Sequence, residues 1–166
     1  MSIKDAVANA SAYLAAHPEE ARYRDSSAVA TLTSGLSAMV TGPGGESVTT
    51  DMPAGIGGGA AAPSPGWLMR ASTASCVASL IAIRAAVVGM NLGPIEVAVD
   101  SESDDRGILG LDDAIEAGAL SMKVVVSLGQ ADAGQESVRE LVDWAISHCP
   151  VTDTIARAVP IEVEVG

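Results

Sequence analysis

The chain carries two thiols, Cys76 and Cys149, among its 166 residues. Cys76 lies inside the long apolar stretch Trp67 to Val88, and Cys149 stands at a helix end in His148-Cys149-Pro150. Such a pair either forms one redox centre or is two small buried hydrophobes. A thiol attacks only as thiolate, which requires its pKa to fall below the ordinary value of about 8.5. Burial alone acts the other way, and Cys76 is several turns inside its helix, beyond the field of the helix N-terminus. A cation is therefore expected beside it. Met69, Ser72, Thr73, Ser79 and Leu80 share its helical face, while Arg70 and Arg84 lie off that face. Arg22, Arg24, Arg157 and His148 are the other sources, and Arg22, Arg24, Arg70 and His148 are carried forward as supporting candidates, together with Asp51.

The elements that must position these groups follow from periodicity. Apolar residues at helical spacing predict an amphipathic helix from Ile3 to Ala16, closed by His17-Pro18. Ser26 to Val40, the turn Gly42-Pro43-Gly44-Gly45 and Ser47 to Thr50 predict two or three strands. Met52 to Gly66 is rich in Pro, Gly and Ala and reads as a loop. Its Gly55, Gly57 and Ala60 imitate a dinucleotide glycine pattern, but Pro63 and Pro65 intervene and no strand-helix-strand unit surrounds them. Trp67 to Val88 then reads as a buried core helix capped by Gly89, and Asp51 before the loop as a turn residue. Trp67 is assigned to pocket wall or core.

Ile95 to Val99 and Met122 to Leu128 read as strands, and Asp100 to Asp105 as a solvated acidic turn. That cluster departs from a calcium loop, because the turn glycine would fall at Asp105 and no closing glutamate follows. Gln135 to His148 is a second helix ended by Pro150, with Asp153 and Thr154 as turn or capping residues beyond it. Ile161, Val163 and Val165 alternate with Glu162 and Glu164 as a half-buried last strand. Strands that cluster instead of alternating with helices predict an α+β arrangement, with helices packed on antiparallel sheet.

A hydrophobic share of 48% supports one ordinary domain, and with no Phe and 2% aromatics its core must be built from Ala, Val, Leu, Ile and Met. A net charge of -12 repels nucleic acid phosphates and anionic membranes, so neither is an expected partner. Arg70 and Arg84 leave too short an uncharged run for a membrane span. Met1-Ser2-Ile3-Lys4-Asp5 lacks the layout of a secretory signal, which places the protein in the cytoplasm, where disulfides are transient and catalytic more often than structural.

The run Pro63-Ser64-Pro65-Gly66-Trp67-Leu68 with Ala71 to Cys76, then His148-Cys149-Pro150-Val151, then Ile161-Glu162-Val163, resembles the OsmC/Ohr family of osmotically induced proteins and organic hydroperoxide reductases. The resemblance runs from about Ala28 to Val165 and implies one OsmC-like domain, with residues 1–25 as a helical extension and 26–166 as the core. It implies antiparallel sheets packed on a long central cysteine-bearing helix in an intertwined homodimer. It further implies a thiol peroxidase: Cys76 attacks an organic hydroperoxide to give a sulfenic acid, Cys149 condenses with it to a disulfide, and a dithiol of the lipoyl type reduces the disulfide, with no metal or organic cofactor. A redox sensor, or a stress protein binding a small apolar ligand, is the alternative. Two positions depart from the family pattern. Its arginine, from the N-terminal hairpin, is fixed by a glutamate ten residues before the first cysteine; Gly66 occupies that glutamate's place, and Met39 to Thr50 contains no Arg or Lys.

Overall fold

The computed structural model describes residues 1–157 and 159–166. The chain divides into two compact units, one formed by Ala8–Met69 and the other by Met1–Val7 with Arg70–Gly166. The architecture is α+β, with antiparallel sheets.

Helix α1, Ile3–Ala16, matches its expected bounds. Ser2 and Asp5 open it reciprocally: Ser2 Oγ accepts the Asp5 N–H at 3.1 Å and Asp5 Oδ2 accepts the Ser2 N–H at 3.2 Å, the capping-box exchange that satisfies otherwise orphaned donors. At its other end the Tyr13 and His17 rings stack with centroids 4.4 Å apart.

The Ala8–Met69 unit contains strands β1 (Val29–Ser34), β2 (Ser37–Thr41) and β3 (Ser47–Thr50), paired antiparallel in that order. Gly35 and Gly45 take the positive φ values that the two hairpin turns demand. No Lys or Arg occurs anywhere from Ser26 to Thr50. Within this unit Thr50 and Asp51 are buried, and β1 is exposed along its length.

The other unit is organised by helix α2, Pro65–Val88, of which Arg70 onward belongs here. It opens on a proline, as the first helical position favours, and ends at Gly89 with φ +75° and the Met90 N–H bonded to Ala85 O at 2.9 Å, a Schellman closure. Thr73, Val77, Ile81 and Ala85, spaced four apart, form its buried stripe. By length and hydropathy α2 could cross a bilayer; here the stripe is packed in a protein core. Strands β4 (Ile95–Ser103) and β5 (Ala119–Leu128) pair antiparallel, and their inward residues Val97, Val124 and Val126 join Leu141 and Ala145 of helix α4 (Gln135–Ser147) around that stripe.

Four expectations are corrected. Asp100 to Ser103 is not a loop but the end of β4: the ladder sets Asp100 opposite Lys123, and Ser121 Oγ donates to Glu102 at 3.0 Å, cross-strand partners that let charged residues stay in a strand. Asp104 and Asp105 leave it, Asp104 accepting the Arg106 N–H to cap the short helix α3, Asp105–Ile108. α4 ends before Pro150, with Cys149 extended as a residue before proline should be, but Pro150 also opens helix α5, Pro150–Ala156, so Asp153 and Thr154 are helical and Asp153 pairs with Arg157 at 2.6 Å. Ile161, Val163 and Val165 form no strand and are exposed, since an alternating segment has no backbone hydrogen bonds of its own until a partner strand supplies them. Trp67, half-exposed, is not core within its unit.

Candidate active site

Asp51, Arg22 and Arg24 belong to the Ala8–Met69 unit. Both arginines are exposed on the extended segment before β1. Asp51 is buried and organises the loop that leads to α2: its carboxylate accepts the N–H groups of Met52 at 2.8 Å, Gly59 at 3.0 Å and Ala61 at 3.1 Å, and its own N–H donates to Pro63 O at 3.2 Å. Burial raises its pKa, but the Ala61, Gly59 and Met52 amides together outweigh that, with Ala61 the strongest, and hold the carboxyl below its ordinary value. The glycines here serve packing: a Cβ on Gly58 would collide with the Met52 carbonyl, and one on Gly59 would meet Asp51 Oδ2 at 2.8 Å.

Both cysteines lie in the second unit, and the fold brings them together. Cys149 is completely buried in the core cluster with Val77, Ile81 and Leu141, while Cys76, half-buried, packs against that cluster from α2. Each thiol is among the groups that shift the other. Cys149 stands at the junction of two helices: α4 ends with His148 as its cap, and Cys149 is the residue from which α5 starts. The Thr152 hydroxyl ties that junction down, donating to Ile146 O at 2.7 Å with Cys149 O at 3.1 Å.

The surroundings divide the two sulfurs. Cys76 is raised, first by burial and then by donating its proton to Cys149, against a smaller opposing pull from the Val151 N–H. Cys149 is also pushed up by burial, but the Thr152 N–H, the Cys76 thiol, the Thr152 side chain and the Val151 N–H outweigh this and make it the more acidic of the pair. None of these N–H groups closes a full capping hydrogen bond on the sulfur. The Thr152 hydroxyl has a single proton and spends it on Ile146 O at 2.7 Å, and the Thr152 N–H is the strongest of the groups that lower Cys149. Val151 N–H acts on both sulfurs.

The other candidates of this unit are engaged elsewhere. Arg70 Nη1 donates to Ser101 Oγ at 3.1 Å. His148 lies flat on Trp144, with centroids 4.2 Å apart, and its Nδ1 faces Trp144 O at 2.8 Å. Arg157 is held by Asp153, and Arg84 sits 4.8 Å over the Trp144 ring. The Ser79 hydroxyl turns back to Ser75 O at 2.9 Å. The cation expected beside Cys76 is not among the groups that shift it; a second thiol is. Sequence reasoning missed Val151 and Thr152, although Pro150 at a helix start was the available signal.

A buried and a half-buried thiol packed in one cluster from distant parts of the chain is an arrangement that a family comparison can identify. The family model described as OsmC-like protein matches residues 57–164, more than half the chain and both cysteines. The chain belongs to the OsmC-like protein family. Solved structures agree on the fold. An OsmC-like protein from Mycoplasma pneumoniae superposes with a TM-score of 0.68 at 14% identity, covering 82% of this chain and 91% of that one. An organic hydroperoxide resistance protein OsmC from Legionella pneumophila gives 0.57 at 23% identity, covering 81% and 90%. An organic hydroperoxide resistance protein from Elizabethkingia anophelis gives 0.58 at 20% identity, covering 82% and 91%. No curated protein sequence matches the chain. Within this OsmC-like protein the arginine-glutamate arrangement that the resemblance would carry over has no counterpart by residue type: Gly66 lies in the first turn of α2, and the three-stranded sheet is free of cations.

Proposed function

We propose that this OsmC-like protein is a thiol peroxidase that reduces organic hydroperoxides in oxidative-stress defence. Cys76, the more accessible sulfur, is oxidised to a sulfenic acid; Cys149 displaces water from it to form the disulfide; a dithiol of the lipoyl type restores both thiols. The observation that carries this reading is that Cys76 packs against the core cluster that holds Cys149. A merely structural thiol pair has no need to meet, whereas a disulfide requires approach of the two alpha carbons to within about 7 Å. The organic hydroperoxide resistance proteins among the similar structures support the same substrate class. The protein works as a homodimer, a second copy covering the face of α2 that bears Ser72, Ser75 and Ser79, and it cycles in the reducing cytoplasm.

The deciding measurement is intact mass after one equivalent of tert-butyl hydroperoxide, followed by steady turnover with dihydrolipoamide. Loss of two hydrogens, abolished in Cys76→Ser and in Cys149→Ser, with sustained turnover, supports the enzyme. A second reading, a redox sensor, draws on the raised Cys76 thiol: it predicts the same disulfide with no sustained turnover. An unreactive Cys76 sinks both.

A further inference from the structure

A cavity of about 430 Å³ lies between the last turns of α2 and the first turns of α4, inside the unit that holds both cysteines but lined by neither of them. Its volume is in the range of small-molecule sites. Arg84 and Val88, one turn apart on α2, and Ser137, Glu140 and Leu141 on one face of α4 line it, with Met90 beyond the Gly89 cap. By helical spacing Arg84 and Val88 fall on the side of α2 that carries its buried stripe, away from the face of Ser72, Ser75 and Ser79.

The polar groups here are uncommitted where comparable groups elsewhere are paired. Arg106, Arg139 and Arg157 each have a carboxylate partner, whereas among the described residues none pairs with the half-buried Arg84. What holds Arg84 is the Trp144 ring, 4.8 Å below its guanidinium carbon. Stacking engages the flat face of a guanidinium and leaves its N–H edge able to donate. The side chains of Ser137 and Glu140 likewise have no hydrogen bond or ion pair among the described residues. Glu140 and Arg84 therefore line one cavity with opposite charge and do not meet. Asp132 adds a second carboxylate to the wall, but both its oxygens are taken by Asn91, from the N–H at 2.9 Å and from Nδ2 at 2.6 Å.

This set of charges selects its ligand. A simple carboxylate would answer Arg84 but be repelled by Glu140 and Asp132, and a simple amine would answer Glu140 but leave the guanidinium unpaired. A molecule carrying both charges answers both. The helix ends add to the division, since the α2 end presents carbonyls and partial negative charge while the α4 start presents amides and partial positive charge. Gly134, the cap residue of α4, has no side chain to occupy those amides. We propose that this cavity binds a small zwitterion, a free α-amino acid with an aliphatic side chain. The carboxylate pairs with Arg84, the ammonium with Glu140, and the side chain packs on Val88, Met90 and Leu141.

Titration of the 15N-labelled full chain with L-leucine tests this, read at the amides of Gly89, Met90 and Ser137, which should shift and saturate. 4-Methylpentanoate, which lacks the ammonium, and 3-methylbutylamine, which lacks the carboxylate, should each bind at least about tenfold more weakly, the loss of one charge-assisted hydrogen bond. Arg84→Met and Glu140→Gln should each weaken leucine by a similar factor. Glu140 is exposed, so its variant tests the site even where Arg84→Met loosens the Trp144 stack. Absence of saturable shifts with leucine would overturn the inference. So would either single-charge analogue binding as tightly as leucine, or an unchanged leucine affinity in Glu140→Gln. Cys76→Ser should bind leucine as the unaltered protein does, so the outcome is independent of the peroxidase reading.

Discussion

Asp51 Oδ2 holds the Gly59 N–H at 3.0 Å, eight residues along the chain, and so closes the glycine-rich loop onto the end of β3 just before the cysteine helix begins. The folded state favours the ionised carboxylate, so its pKa lies below the ordinary 3.8. A depressed carboxyl stabilises the fold above its unfolded pKa, and that stabilisation is lost as pH falls through the folded one. Asp51→Asn should therefore lower the melting temperature at pH 7, and the gap to the unaltered protein should shrink as pH falls below about 4, the unfolded range for Asp. Thermal melts across pH 2.5 to 7 measure this; a gap independent of pH would remove the carboxylate's role.

Ile81 is fully buried in the stripe that also holds Val77, beside the thiols. Truncation there leaves a cavity as well as losing apolar transfer energy. Ile81→Ala should cost about 3 kcal/mol and Ile81→Val about 1 kcal/mol. Urea unfolding reads both, and a cost for Ile81→Ala below that of Ile81→Val would show that the cluster is not the core of this unit.

His148 adjoins Cys149, and the sequence made it attractive as an assisting imidazolium. The structure turns the ring onto Trp144, with Nδ1 at 2.8 Å from the Trp144 carbonyl. His148→Ala should leave the rate of disulfide formation within about twofold, the scale of a peripheral change of ~0.5 kcal/mol. A larger loss, measured by the mass shift after one equivalent of hydroperoxide, would return the imidazole to the site.

What the sequence made legible is what periodicity and punctuation encode. Gly89 and Pro65 bracket α2 as glycine and proline do at helix ends, and the clustering of strands was enough for the α+β class. That Cys76 and Cys149 come to one cluster was suggested by resemblance, not by spacing. Three things were hidden for physical reasons. Asp100 to Ser103 reads as loop until β5 places Lys123 and Ser121 across from it. Ile161 to Val165 reads as strand although strand formation depends on a partner that local pattern does not supply. The acidity of Cys149 depends on α5, and a proline after a helix reads equally as an end and as a beginning.

Thr152 binds that beginning in place. Its hydroxyl reaches back to Ile146 O at 2.7 Å, across the Cys149-Pro150 junction, so one hydrogen bond fixes the angle at which α5 leaves α4 and hence where Cys149 Sγ stands relative to Cys76. Thr152→Ala removes that bond, worth about 1 kcal/mol, and the misplacement should slow disulfide closure by roughly fivefold. Thr152→Ser keeps the hydroxyl and should recover most of the rate. Thr152 acts through Cys149, so the readout must isolate closure: dimedone should trap more Cys76 sulfenic acid in Thr152→Ala than in Thr152→Ser after the same dose of hydroperoxide. A merely destabilising change would lower the melting temperature without lengthening the life of the sulfenic acid. Equal trapping in the two variants would place the hydroxyl in the fold and outside the chemistry.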